Sequence, residues 1–191
     1  SAAALAAPLL ARAAADQGAA RQYYELRTYH FANAGKQTAF EKFFQTAAIP
    51  ALNRAGVENV GAFKLFAKDN PSLKLNSDPL DLYLLLPHNS IDSFLSLAAK
   101  LAADPAFQDA GKTLLTAPKS DPAFSRYDST LLLAMEAAPR LTPPIKSDTR
   151  LFELRTYQSS KEDRAANKLA QFNIGEMPLF TRAGMPGVFF G

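Results

Sequence analysis

Glu25, Arg27 and Tyr29 stand at alternate positions of one stretch, Y-Y-E-L-R-T-Y at 23–29. Glu153, Arg155 and Tyr157 stand at the same positions of L-F-E-L-R-T-Y at 151–157. In an extended chain successive side chains point to opposite sides, so a carboxylate, a guanidinium and a phenol spaced by two share one face with Tyr23. Such a face has two uses. Buried glutamate and arginine can neutralise one another and fix a sheet's register, because a buried arginine needs an anion. Alternatively, Arg27 or Arg155 holds an anionic or carbonyl-bearing ligand, and Tyr23, Tyr29 or Tyr157 supplies a phenol and an aromatic wall. A motif that occurs twice fits either use.

The only histidines are His30 and His88. His30 closes the first strand and is the candidate acid or base, since imidazole titrates near neutrality. Gln158 takes its place in the second stretch, so a half-exposed strand-end histidine is the competing reading. His88 follows Pro87 where a strand gives way to a helix. With two histidines and no cysteine, no metal centre, disulfide or thiolate nucleophile is expected. No G-x-G-x-x-G or G-x-x-x-x-G-K cradles a phosphate, and no G-x-S-x-G presents a nucleophilic serine. No cofactor is expected. The net charge of +3 is spread along 191 residues without a basic block, which argues against a nucleic-acid surface. Hydrophobic content of 48% and charged content of 20% suit a globular protein with a sizeable core.

The elements that must position these residues follow from the repeat. The two stretches lie 128 positions apart, and the offset continues without a gap: Phe44 answers Phe172, Pro50 answers Pro178, and Arg54-Ala55-Gly56 answers Arg182-Ala183-Gly184. Residues 22–63 and 150–191 share 11 identities over 42 positions, which reads as a duplicated unit. In the first copy, 23–30 alternates as a strand. Phe40, Phe43, Phe44, Ala47 and Leu52 then mark a helix over 34–54, with Pro50 disturbing its last turn and Gly56 capping it. A second strand is expected over 57–67, a loop over 68–79 and a third strand over 80–86. Ser90 or Asn89 caps a helix burying Ile91, Phe94, Leu95, Ala98 and Leu101. Asp104-Pro105 starts another short helix, and 127–136 forms the fourth strand.

Strand, helix, strand, strand, helix, strand is the α+β, ferredoxin-like βαββαβ pattern. Helices cover one face of its sheet, and a second unit is expected to cover the other. Two sheets pressed together make an α+β barrel, with Glu25, Arg27, Tyr29, Glu153, Arg155 and Tyr157 expected in its interior. Tyr83, sharing a face with Asp81 and Leu85, is placed on the barrel side too. The domain boundaries read as a leader and linker at 1–21, a first unit at 22–138, a linker at 139–149 and the start of a second unit at 150–191. By the same offset the second copy continues past Gly191 and is incomplete here, so a neighbouring chain or the remainder of that copy is expected to complete the barrel. The alanine-leucine run at 1–15 is too short to span a bilayer and is broken by Pro8. Its Ala11-Arg12-Ala13 and Ala13-Ala14-Ala15 spacings match a signal-peptidase site, which points to the periplasm or outside. An alanine-rich helix docked on the body is the alternative.

The E-L-R-T-Y strand, the following helix with its proline, and R-A-G before the second strand resemble the NIPSNAP family, over 22–138 and again over 150–191. That resemblance implies the dimeric α+β barrel fold, and similar bacterial proteins carry a twin-arginine export signal and two NIPSNAP units. Mitochondrial relatives have roles in membrane vesicles and mitophagy that no residue here carries over. Two functions are expected to compete. The first is a non-catalytic exported module that holds a small hydrophobic or anionic ligand or is purely structural. The second is a cofactor-independent monooxygenase or isomerase acting on an aromatic or quinone-like substrate, which rests on analogy of fold.

Overall fold

A computed structural model of the chain describes residues 20–147, 150–185 and 187–191. The expected leader at 1–15, and all but the last two residues of 1–21, lie outside the described residues. The chain divides into two units: Tyr23–Leu132, and the described residues of Leu133–Gly191 together with residues 20–22.

The first unit begins with β1 (Tyr23–His30), α1 (Ala34–Phe43), a π-helical turn (Phe44–Ala48) and α2 (Ile49–Arg54). It continues with β2 (Gly61–Phe63), β3 (Asp81–His88), α3 (Ile91–Ala102), α4 (Pro105–Leu115) and β4 (Arg126–Leu133). The four strands form one antiparallel sheet in the order β2-β3-β1-β4, so β3 is inserted between β1 and β2. This is the split arrangement of a ferredoxin-like α+β unit.

Local chemistry sets the boundaries. The side chains of Asn33, Ser90 and Asp104 accept hydrogen bonds from the amides of Lys36, Ser93 and Phe107, which caps α1, α3 and α4. Pro105 enters the first turn of α4, where its missing N–H costs nothing. Pro50 has no proton to give back along its helix, and its ring crowds the preceding turn. The chain widens there, and the Ile49 amide bonds to Phe44 O instead of to Gln45 O. Gly56 ends α2 at φ 88°, with its own amide on Asn53 O and the Val57 amide on Leu52 O. That pair of bonds closes the helix and folds Val57 against Leu52 in the core.

Two expectations about element extent are corrected. The strand expected over 57–67 is only Gly61–Phe63, because Val57 is used in closing α2 and Asn59 takes a left-handed φ of 55°. In α3, Leu97 is the buried residue, flanked by the half-buried Phe94 and Leu101, while Ile91 and Ala98 are exposed and Leu95 is 68% exposed. Leu97 and Leu101 meet the core, Phe94 packs edge-on to His88, and Leu95 points away.

A larger correction concerns the sheet's faces. Glu25, Arg27 and Tyr29 share one face as expected, but that face is the one covered by helices. They pair across the ladder with Leu86, Leu84 and Leu82, and these leucines form the core with Phe40, Phe43, Phe44 and Leu97. The alternate leucines of β3 are the strongest apolar row in the sheet and take the helical cover; β1's odd-numbered residues go with them. Tyr83 lies on the opposite face, across from Thr28, with Asp81 and His30 beside it. The proposed interior set is therefore split between two faces.

In the second unit, residues 151–157 form no strand, and every one of them is exposed. Glu153, Arg155 and Tyr157 thus do not line an interior, contrary to the expectation. A strand needs a ladder to a neighbour, and 151–157 takes part in none. Beyond it come α5 (Glu162–Gln171), a π-helical turn (Phe172–Glu176) and α6 (Met177–Arg182). Each boundary stands 128 positions after its counterpart in the first unit. Gly184 closes α6 at φ 72° with the Met185 amide on Phe180 O, the same cap as at Gly56.

Candidate functional site

The face that carries Glu25 holds a closed polar network. Arg27 Nε donates to Glu25 Oε1 at 2.6 Å and Arg27 Nη2 to Glu25 Oε2 at 2.9 Å. Both residues belong to β1, and their alternate spacing lets the guanidinium lie flat against the carboxylate. From β4, Ser129 Oγ donates to Glu25 Oε1 at 2.7 Å. From the end of β3, His88 Nε2 faces Glu25 Oε2 at 3.7 Å, while its Nδ1 meets Ser93 Oγ of α3 at 3.1 Å. Three strands and a helix therefore converge on one carboxylate. Neither Ser129 nor His88 was singled out for this from the sequence. Their parity in β4 and β3 is the signal that finds them, once the register is known.

The carboxylate is fully committed. Burial works to raise the Glu25 pKa, but His88, Arg27 and Ser129 outweigh burial and hold it at about 2. Burial also works against the charge on Arg27, yet Glu25 and Tyr29 push its pKa upward. Near neutral pH this is a permanent ion pair, and neither partner is a proton carrier. Tyr29 completes the surroundings. Its ring lies 4.5 Å from Phe40, 5.0 Å from Phe124 and 5.3 Å from Tyr127, and burial raises its pKa. The Arg27 guanidinium is 5.8 Å from the Tyr127 ring centre. Tyr23 lies half-buried at the start of the same row.

On the opposite face, His30 is held from both sides. Its Nδ1 is 2.7 Å from Asp81 Oδ1, and its Nε2 is 2.9 Å from Asp128 Oδ2. Arg126 in turn bonds to Asp128, whose pKa is lowered first by the His30 hydrogen bond and then by the charge of Arg126. Burial, then Asp81, raises the pKa of Tyr83. The imidazole thus bridges the β1–β3 ladder to β4, with both nitrogens engaged.

Glu153 and Arg155 reproduce the fork in the second unit. Nε meets Oε1 at 2.9 Å and Nη2 meets Oε2 at 3.0 Å, with the side chains 69% and 59% exposed. Arg155 lowers the Glu153 pKa and is itself shifted upward by that carboxylate. Tyr157 packs edge-on to Phe172 at 5.2 Å, and Lys168 lies 5.1 Å from the Tyr157 ring centre.

Clefts on the described surface include two of similar size. One, of about 280 Å³, lies in the second unit against Pro139, Leu141, Met177 and Phe180. The other, of about 270 Å³, lies in the first unit between α1–α2 and the edge of β2. None of the candidate site residues, Tyr23, Glu25, Arg27, Tyr29, His30, Tyr83, Glu153, Arg155 or Tyr157, lines either one. Among the described residues no group of three or more histidine and acidic side chains is arranged to hold a metal ion. No helix among them is long and apolar enough to cross a membrane.

No family model matches the chain, and no curated protein matches it. Solved structures do. The chain is similar to a NIPSNAP family protein of unknown function from Agrobacterium tumefaciens, with 16% identity over 64% of this chain and 93% of that one, and a TM-score of 0.45. A second NIPSNAP family protein from the same organism has 17% identity over 63% and 91%, with a TM-score of 0.47. A NIPSNAP-like domain protein from Burkholderia xenovorans has 18% identity over 66% and 96%, with a TM-score of 0.45. The solved neighbours are NIPSNAP proteins. No activity passes from these NIPSNAP structures to the present chain, and the chemistry rests on its own side chains.

Proposed function

We propose that this chain is a non-catalytic, exported NIPSNAP-type module whose Glu25–Arg27 fork locks the sheet and does not act on a substrate. One observation carries this reading: the fork is closed. Each Glu25 oxygen takes a donor from Arg27, Ser129 adds another, and the carboxylate stays ionised down to about pH 2. A group that neither gains nor loses a proton near neutrality is no general acid or base. An enzymatic site would need His30 or a tyrosine in an open cavity beside an arginine. His30 is instead held by Asp81 and Asp128, and Arg27 lines neither cleft.

The same reading includes duplication, export and assembly. The shared 128-residue offset of sequence identities, helix boundaries, π-helical turns and glycine caps supports duplication of one unit. The small-x-small spacings at 11–15 support export. A second unit, from the remainder of the copy or from a neighbouring chain, covers the sheet face opposite the helices and completes an α+β barrel.

The test is the double variant Glu25→Leu/Arg27→Met. Replacing a buried ion pair by apolar residues of similar size is often neutral, so the double variant should unfold at a urea concentration close to the wild type's. Native mass spectrometry of wild type and double variant should then show the same bound species. A co-purified small molecule present on the wild type and missing from a well-folded double variant would assign ligand binding to the fork and overturn the reading.

A further inference from the structure

His30 stands at the end of β1 with a carboxylate on each ring nitrogen. Asp81, at the start of β3, places Oδ1 2.7 Å from Nδ1, and Asp128 of β4 places Oδ2 2.9 Å from Nε2. An ionised carboxylate only accepts hydrogen bonds, and a neutral imidazole carries a single N–H. Carboxylates at hydrogen-bond distance from both nitrogens therefore select the imidazolium, which donates one N–H to each. The neutral ring would leave a lone pair pointing at a carboxylate oxygen.

Among the described residues, the charged and titratable groups around the ring come from two strands. β3 supplies Asp81 and, beside it, Tyr83, whose phenol stays neutral because burial and then Asp81 raise its pKa. β4 supplies Asp128 and Arg126, which bond to each other. From α1, Gln37 brings only a neutral amide, donated to Asp81 O at 3.1 Å, and Lys36 is taken up by Asp121 and the Pro122 carbonyl.

Loss of a proton does not affect the two contacts equally. Asp81 is half-buried and makes the shorter contact, so the remaining N–H stays on Nδ1. Asp128 is exposed and has Arg126 and water to turn to when the Nε2 lone pair repels it. Asp128 sits near the start of β4, which is an edge strand of the sheet. Just before it, the Ser125 amide donates to His30 O at 2.8 Å.

We propose that Asp81, His30 and Asp128 form a proton-operated clamp, which fastens the start of β4 to β1 while the ring is an imidazolium and releases it when the ring is neutral. The closed clamp holds a proton, so its contribution is present on the acid side of the ring's titration and is lost as the pH rises through it. It lies on the opposite face from the Glu25–Arg27 fork and does not depend on it.

The experiment follows amide exchange and the His30 ring together, by NMR of the whole ¹⁵N-labelled chain from about pH 5 to 8. Exchange is expressed as protection, which removes its intrinsic pH dependence. Protection of the Ser125 amide should fall roughly fivefold as the ring passes from two protonated nitrogens to one, the size of a partly exposed ion-pair contact. The Ala134 amide, which donates to Gln22 O just past the other end of β4, should show no such step. His30→Gln keeps one donor and cannot titrate, so Ser125 protection should become independent of pH. Asp128→Asn offers Oδ1 to the protonated ring and Nδ2 to the neutral one, so the step should vanish while the ring still titrates.

Ser125 protection that stays level through the wild-type ring's titration would overturn the proposal. So would a step of the same size in either variant, or a ring with only one protonated nitrogen at the acid end.

Discussion

The forks Glu25–Arg27 and Glu153–Arg155 have the same hydrogen-bond pattern to within a few tenths of an ångström, yet one is buried in a sheet and the other stands in solvent. The difference separates what the motif does alone from what its neighbours do. Alternate residues of an extended backbone lie side by side, so a guanidinium reaches a carboxylate two positions away in either setting. Strand pairing and burial come from elsewhere: β3 supplies Leu82, Leu84 and Leu86, and β4 supplies Ser129. The fork is a local habit of E-x-R, and only in β1 does it become a fixture of the fold.

The sharpest way to break this comparison is to remove one arginine at a time. Arg27→Met leaves the buried, ionised Glu25 with Ser129 and the more distant His88 but no counter-ion from Arg27, and loss of one partner of a buried pair costs about 3–5 kcal/mol. Arg27 is 20% exposed, so the lower end of that range is expected. Arg155→Met exposes nothing that water does not already reach and should leave the urea midpoint unchanged. Equal destabilisation by the two variants would mean that the forks do the same job.

Acid titration sharpens the contrast next. Glu25 has a depressed pKa of about 2 in the folded chain against its ordinary 4.5, so its contribution is fully present above about pH 4.5 and is lost as the pH falls through 2. A shift of that size corresponds to roughly 3 kcal/mol. Hydrogen exchange of the β1 amides, followed from pH 5 downward, should report that loss in wild type. In Glu25→Gln the loss should be absent. The exposed Glu153 should titrate without any accompanying change in protection.

The smallest effect is one in which the two regions should agree. Gly56 and Gly184 both take a left-handed φ, 88° and 72°, and a Cβ at either would meet no atom within 4 Å. Alanine at each position therefore pays only for its backbone conformation, about 1 kcal/mol. Thermal unfolding should show similar losses for Gly56→Ala and Gly184→Ala. A much larger loss at one would reveal a contact beyond the cap.

Much of this fold was legible in the chain. Alternation at 23–30 and 80–86, the Ser90 cap, Asp104-Pro105 and Gly56 lead to the strand order and to most helix ends. What alternation gives is parity, so Glu25, Arg27 and Tyr29 were correctly grouped but assigned to the wrong side. Choosing the side requires knowing that they pair with Leu86, Leu84 and Leu82, which is a fact about register. Residues 151–157 read as a strand because propensity is local, whereas a ladder needs a neighbour. The two clefts had no local signature at all.

Pro50 leaves a further mark on the molecule. Without an amide hydrogen it supplies nothing to the carbonyls of Gln45 or Thr46, the groups it would serve in the widened or the ordinary helical register. Both residues are exposed, so bulk water is at hand to solvate those oxygens. The turn thus inserts one residue into the helix without burying an unmet acceptor. Everything after it, from Ile49 to the Gly56 cap, is rotated by about a hundred degrees relative to an uninterrupted helix, which turns Leu52 from the flank to the centre of the stripe begun by Phe40 and Phe44 and leaves Ala51 buried beside it.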